Sequence, residues 1–95
     1  MGDLNPALQS SIRLTLTTML TGVSEIEFAT LRDDLSVSDS VLSKHVSALV
    51  AEGYVKSRKA TRDGRRTTWI SLTTDGRRAL GAHVAALRVL IAGIE

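Results

Sequence analysis

Six of the twelve lysines and arginines in this 95-residue chain fall between Lys56 and Arg66. They are Lys56, Arg58, Lys59, Arg62, Arg65 and Arg66, with Asp63 the one acid among them. A positive field so concentrated is what a polyanion-binding surface needs. Just upstream, Ser36 to Tyr54 reads SVSDSVLSKHVSALVAEGY. On a helix turning about 100° per residue, Ser40, Ser43, Lys44, Ser47 and Ala51 share the face opposite Leu42, Val46 and Leu49. Apart from Lys44 these side chains are short, so the backbone can approach a groove closely. Their hydroxyls, with the Lys44 ammonium, can donate to phosphates and base edges. Each feature has a blander reading, a solvated helix face in one case and a soluble hairpin in the other, so the surrounding elements matter.

Composition removes several alternatives. The hydrophobic fraction of 43% is that of a globular chain, and the length suits one domain over residues 1–95. With only Phe28, Tyr54 and Trp69 as aromatics, aliphatic side chains must fill the core, and stacking platforms for single-stranded nucleic acid are few. There is no cysteine, which excludes disulfides and thiolate metal sites. His45 and His83 are too few and too far apart in sequence for a metal cage. No glycine-rich phosphate loop and no nucleophile–base pair is visible, so neither an enzyme nor a cofactor is expected. No apolar run reaches membrane-span length, and the N-terminus has no basic region followed by an apolar one, which makes the cytoplasm the expected location.

The elements that must position the two features follow in order. Asn5-Pro6 starts a helix expected from Pro6 to about Thr21, with Leu8, Ile12, Leu16, Met19 and Leu20 at helical spacing. Val23 to Ile26 is expected as a short extended segment. A second helix runs from about Glu27 to Leu35, and Ser36 falls in a turn where glycine would ease a positive φ. The third helix has Ser38 as cap, Asp39 at its positive end, a Val37–Leu42 staple and Gly53 as its stop. Strands over Tyr54–Ala60 and Arg65–Leu72 flank Thr61-Arg62-Asp63-Gly64, where Asp-Gly is a strong hairpin signal. Thr73-Thr74-Asp75 caps a last helix, about 74–94. Its Leu80, Val84, Leu87, Leu90, Ile91 and Ile94 are more apolar surface than one small domain can cover, and an isologous dimer contact is expected there.

Helix, strand, helix, helix, hairpin, helix is a mainly α arrangement with a small β hairpin, in the order α-β-α-α-β-β-α of a winged helix-turn-helix. Ser11-Ile12-Arg13, Phe28-Ala29-Thr30-Leu31 and Leu42-Ser43-Lys44-His45-Val46 with Leu49 carry the likeness further. So do Gly53-Tyr54-Val55, Arg65-Arg66-Thr67-Thr68 and Leu72-Thr73-Thr74-Asp75-Gly76-Arg77. Over about residues 4 to 90 the chain resembles the small stand-alone winged-helix transcriptional regulators related to MarR, and more distantly to ArsR.

The resemblance implies a homodimeric, repressor-like regulator that binds double-stranded DNA with its third helix (38–52) in the major groove. The family's groove-contacting positions fall on Ser38, Asp39, Ser40, Ser43, Lys44 and Ser47, and its wing contacts on Arg62, Arg65 and Arg66. Arg58, from the same basic cluster, completes the expected DNA-binding set. The resemblance also suggests that Asp63 orders the wing by pairing with Arg65. The sequence departs from the family at Ser36, where glycine is common. It lacks the longer first and last helices of full MarR proteins, which frame their ligand pocket, so the resemblance leaves a small-molecule effector unknown. A winged helix used as a protein-interaction module is the alternative, but such modules usually lose the basic wing that this chain keeps. Asp39 reads as a dipole-stabilising residue. His45 is either a phosphate donor or a half-buried structural histidine, His83 is structural or interfacial, and Trp69 packs on the strand face opposite Ile70.

Overall fold

A computed structural model describes residues 3–94. The expected first helix is divided. Asn5 Oδ1 accepts from the Ala7 amide at 3.0 Å and caps a single 3-10 turn, Pro6–Leu8. The chain then extends at Ser10 (φ −68°, ψ 131°), whose Oγ caps α1, Ser11–Leu20. The break has a tertiary cause: Asn5 is tied to two distant elements, its amide N–H donating to His83 Nδ1 and its side chain to the Tyr54 hydroxyl, both at 2.9 Å. Continuing one helix from Pro6 would forgo the Ser10 cap. Within α1, Thr15, Thr17 and Thr18 return their hydroxyls to carbonyls four residues back. Thr17 can therefore be fully buried without an unmet donor.

The extended segment forms later than expected, as the two-residue strand β1, Ile26–Glu27. It leads directly into α2, Phe28–Leu35. Ser36 sits in the left-handed region (φ 55°, ψ 45°), its N–H bonded to Asp33 O and that of Val37 to Arg32 O, both at 3.2 Å. That pair of bonds is a Schellman motif, made here with serine where glycine is usual. The turn between α2 and α3 thus forms despite the missing glycine. α3 runs Asp39–Ala51, with Ser38 Oγ accepting from the Val41 amide at 3.2 Å.

β2, Val55–Arg62, and β3, Arg65–Leu72, are one residue pair from closing on themselves, and only Asp63 and Gly64 form the turn. Both have positive φ (53° and 75°), the type I′ geometry that matches strand twist. The first strand therefore reaches Arg62 instead of ending at Ala60. Sheet order is β1-β3-β2, all antiparallel, with Ile26 opposite Ile70 and Glu27 opposite Trp69.

α4, Thr74–Ala92, is capped by Thr73, whose Oγ1 accepts from the Gly76 amide at 2.9 Å and donates to Gly53 O at 2.6 Å. Gly76 lies against the Tyr54 carbonyl, and a Cβ there would collide with it.

The core is aliphatic, as the scarcity of aromatics required. Leu8, Leu16 and Leu20 meet Leu31, Leu42 and Leu49 from α2 and α3, with Val55 and Ile70 from the sheet. Leu80 belongs to this core, 6% exposed. Its expected place at a dimer interface is thereby corrected: nearly two turns into α4 the helix still faces its own domain. Val84 also packs against the core and Leu87 is half-buried. The uncovered apolar surface begins beyond them, with Leu90 and Ile91 each 56% exposed, joined by Val89 and Ile94.

Candidate nucleic-acid interface

α3 presents Ser40, Ser43, Lys44 and Ser47 to solvent while Leu42, Val46 and Leu49 hold its other side in the core. Ser38 is occupied as the cap, and its hydroxyl lies 3.2 Å from that of Ser40. Asp39 does not project freely. Arg32 Nη1 of α2 donates to Asp39 Oδ1 at 2.9 Å while Arg32 Nε donates to Asp33 at 3.0 Å. The Asp39 bond, then Asp33, raises the Arg32 pKa above its usual value. An acid that would repel phosphate is thus matched by a fixed cation.

Strand alternation sorts the basic residues. Val55 points inward, so Ser57, Lys59 and Thr61 follow it on the face toward α3, with Ile70, Thr68 and Arg66 opposite them on β3. Between this face and the helix lies a groove of about 470 Å³, lined on the helical side by Phe28, Asp39, Ser43, Val46 and Ser47. The hairpin side is Ser57, Lys59, Thr68 and Ile70. Lys59 was not among the expected contacts. Counting by twos from Val55 would have found it.

Arg58, which was among them, lies on the other face. It sits across from Trp69, and both its Nε and an Nη donate to the Glu25 carboxylate. That contact raises the Arg58 pKa. Arg58 therefore fastens the base of the hairpin to the loop before β1 and is not a cation free for a ligand. Trp69 lies half-buried on this outer face, its Nε1 donating to Thr67 Oγ1 at 3.2 Å.

At the tip, Arg62 and Arg65 face each other across the last strand pair, an arrangement of like charges that favours an incoming anion. They line a second concavity with Arg66, Asp63 and the start of α2. Asp63 makes no ion pair with Arg65 among the described residues. Its contribution is the positive φ of the turn, which corrects the role the resemblance suggested.

The two histidines separate. His83 is 2% exposed and is bound at Nδ1 by the Asn5 amide, a structural role. His45 is half-buried on α3, and its Nδ1 accepts from Arg13 Nε at 3.0 Å. Burial, then the charges of Arg13 and Lys44, lower its pKa from the usual 6.5.

A helix with a short-side-chain face, beside a hairpin carrying inward cations, is the arrangement of a nucleic-acid reader. The family model for a winged helix DNA-binding domain matches residues 12–91. This chain belongs to the winged helix DNA-binding domain family. An uncharacterized protein of Methanocaldococcus jannaschii is 30% identical over 86 residues, 90% of this chain and 94% of that one.

Among solved structures, a transcriptional regulator homologue from Pyrococcus horikoshii matches with a TM-score of 0.87 at 24% identity, over 94% of this chain and 88% of that chain. Lactococcus lactis ZitR, a zinc-responsive MarR family member, matches in its complex with DNA at a TM-score of 0.66 and 20% identity. That match covers 99% of this chain but 64% of ZitR. At such identities the likeness establishes the fold alone, a winged helix shared with these proteins. The family that the model describes is one of DNA-binding domains. Among the described residues no helix is long and apolar enough to cross a membrane.

Proposed function

We propose that this winged helix, taken as one unit over residues 1–95, is a sequence-specific regulator of transcription in the cytoplasm. It acts as a homodimeric repressor on a pseudo-palindromic operator. The observation that carries this is the groove between α3 and the hairpin, where a helix face of short side chains stands beside Lys59, with Arg66 further along the same face of the hairpin. Ser40, Ser43, Lys44 and Ser47 read base edges and phosphates of the major groove, with Ser38 and Asp39 ordering the helix start. Arg62, Arg65 and Arg66 grip the backbone or reach the adjacent minor groove.

The exposed end of α4 supports the dimer. Leu90, Ile91 and Ile94, extended by half-buried Leu87, form an apolar patch that a monomer seldom leaves open. A twofold contact there places two α3 helices about one turn of DNA apart, on the order of 10 bp between half-site centres. Occupancy of the groove by such a dimer excludes a polymerase with no further contact surface, which is why repression is the reading.

Selection of bound fragments from a random duplex pool tests all of this together. The expected product is an enriched inverted repeat with that spacing. Recovery of no motif at moderate salt would reject sequence-specific regulation, and a single unpaired half-site would reject the dimer.

A further inference from the structure

One flank of α3 carries a basic cluster that neither the hairpin groove nor the core explains. Arg13 reaches from α1 to bond His45 Nδ1, and Lys44 adjoins His45 on the same helix. Arg13 has no carboxylate partner among the described residues. The charged groups facing His45 are Arg13 from α1 and Lys44 from its own helix, with no acid. A guanidinium, an imidazole and an ammonium gathered without a counter-charge form a local excess of positive potential suited to an anion.

Position around the helix says which anion. At about 100° per residue, Ser40, Ser43 and Ser47 lie between the side facing the hairpin, with Asp39 and Val46, and the side carrying Val41, His45 and Ala48. A duplex whose major groove receives α3 presents one phosphate strand on each side of that helix. Lys59 and Arg66 stand on one side, and the Arg13–His45 pair on the other.

We propose that Arg13, His45 and Lys44 form a second phosphodiester site, gripping the DNA strand opposite the one met by the hairpin. The proposal rests on the DNA-binding reading above. The His45 bond to Nε fixes the guanidinium so that its two Nη groups are left to meet a phosphate side by side. Because Nδ1 accepts, the neutral ring carries its proton on Nε2, a further donor for the same phosphate. The negative charge of the phosphate opposes the effects that keep His45 neutral in the free protein. Binding therefore moves the His45 midpoint upward from its lowered position, and protonation, which occupies Nδ1, would release Arg13 Nε to donate to the phosphate as well.

The test uses the full chain and a synthetic duplex of about two to three helical turns. Wild-type affinity should fall with salt, and Arg13→Gln should make the log–log slope shallower by about 0.9, the loss of one phosphate contact. Between roughly 50 and 200 mM salt the variant then loses about threefold less affinity than wild type. Arg13→Lys, which keeps the charge, should restore the slope, an outcome that a merely structural role does not give. In the wild type, a nitrogen-15 imidazole titration should show the His45 midpoint rising on addition of duplex.

An unchanged slope in a folded Arg13→Gln protein overturns the second site and leaves DNA binding standing. If Arg13→Gln does not fold, the wild-type titration decides, and a His45 midpoint that DNA does not move overturns the proposal. Absence of any salt-dependent binding by wild type overturns the DNA reading and this site together.

Discussion

Arg32 Nη1 holds Asp39 Oδ1 at 2.9 Å, so the last turn of α2 supplies the counter-charge for the first turn of α3. The bond spans the turn between the two helices and keeps an acid at the groove wall from acting as a bare negative charge. Arg32→Ala should weaken DNA binding several-fold at low salt, with less effect at high salt because exposed charges are screened. Adding Asp39→Ala should recover most of the loss. A gel-shift titration of both proteins checks this, and a double variant as weak as the single one would show that Arg32 itself grips DNA.

Ser36 is a second place where the helix-turn-helix departs from ease. A non-glycine residue in the left-handed region costs about 1–2 kcal/mol, while glycine gives the unfolded chain more freedom, worth about 0.5–1 kcal/mol. Ser36→Gly should therefore stabilise the fold by about 0.5–1 kcal/mol. Urea unfolding should show a higher midpoint at constant slope.

Lys59 and Arg58 are neighbours in sequence with opposite expected roles. Lys59→Ala should make the salt dependence of DNA binding shallower by about 0.9. Arg58→Ala should leave that slope near the wild-type value, since its guanidinium is already bound to Glu25. Fluorescence anisotropy over a salt series separates the two, and equal effects would refute the sorting by strand alternation.

His45 makes stability depend on pH. Its folded pKa lies below its unfolded value, so the unfolded chain binds more protons in the window between them. Stability is fully present above pH 6.5. It is lost as pH falls from there toward the folded midpoint and levels off below it. His45→Gln should flatten that segment of the melting-temperature profile.

Leu90 and Ile91 should differ from Leu80 in what they break. Leu90→Glu with Ile91→Glu should convert a dimer to a folded monomer in light scattering. Leu80→Ala should cost about 2–5 kcal/mol of stability, because it opens a cavity in the core. A wild type that is monomeric at high concentration would remove the pairing role from α4.

The helix-turn-helix and hairpin were legible because their signals are local: the Ser38 cap, Gly53, Asp63-Gly64 and the apolar spacing of α3. The break at Ser10 was not, since it depends on Asn5 meeting His83 and Tyr54 from far along the chain. Arg58 shows a related limit. Its charge was plain in the sequence, but its partner Glu25 is brought to it only by the pairing of β1 with β3. Lys59 is recoverable from the two-residue period, since it stands four residues after the inward-pointing Val55.

Thr73 accepts from Gly76 and donates to Gly53, and Gly76 rests against Tyr54. The end of α3 and the start of α4 are thereby joined in one close-packed corner. In a dimer, each arm would move as a rigid lever, so a small twist where the two copies meet would swing both reading helices through a larger arc.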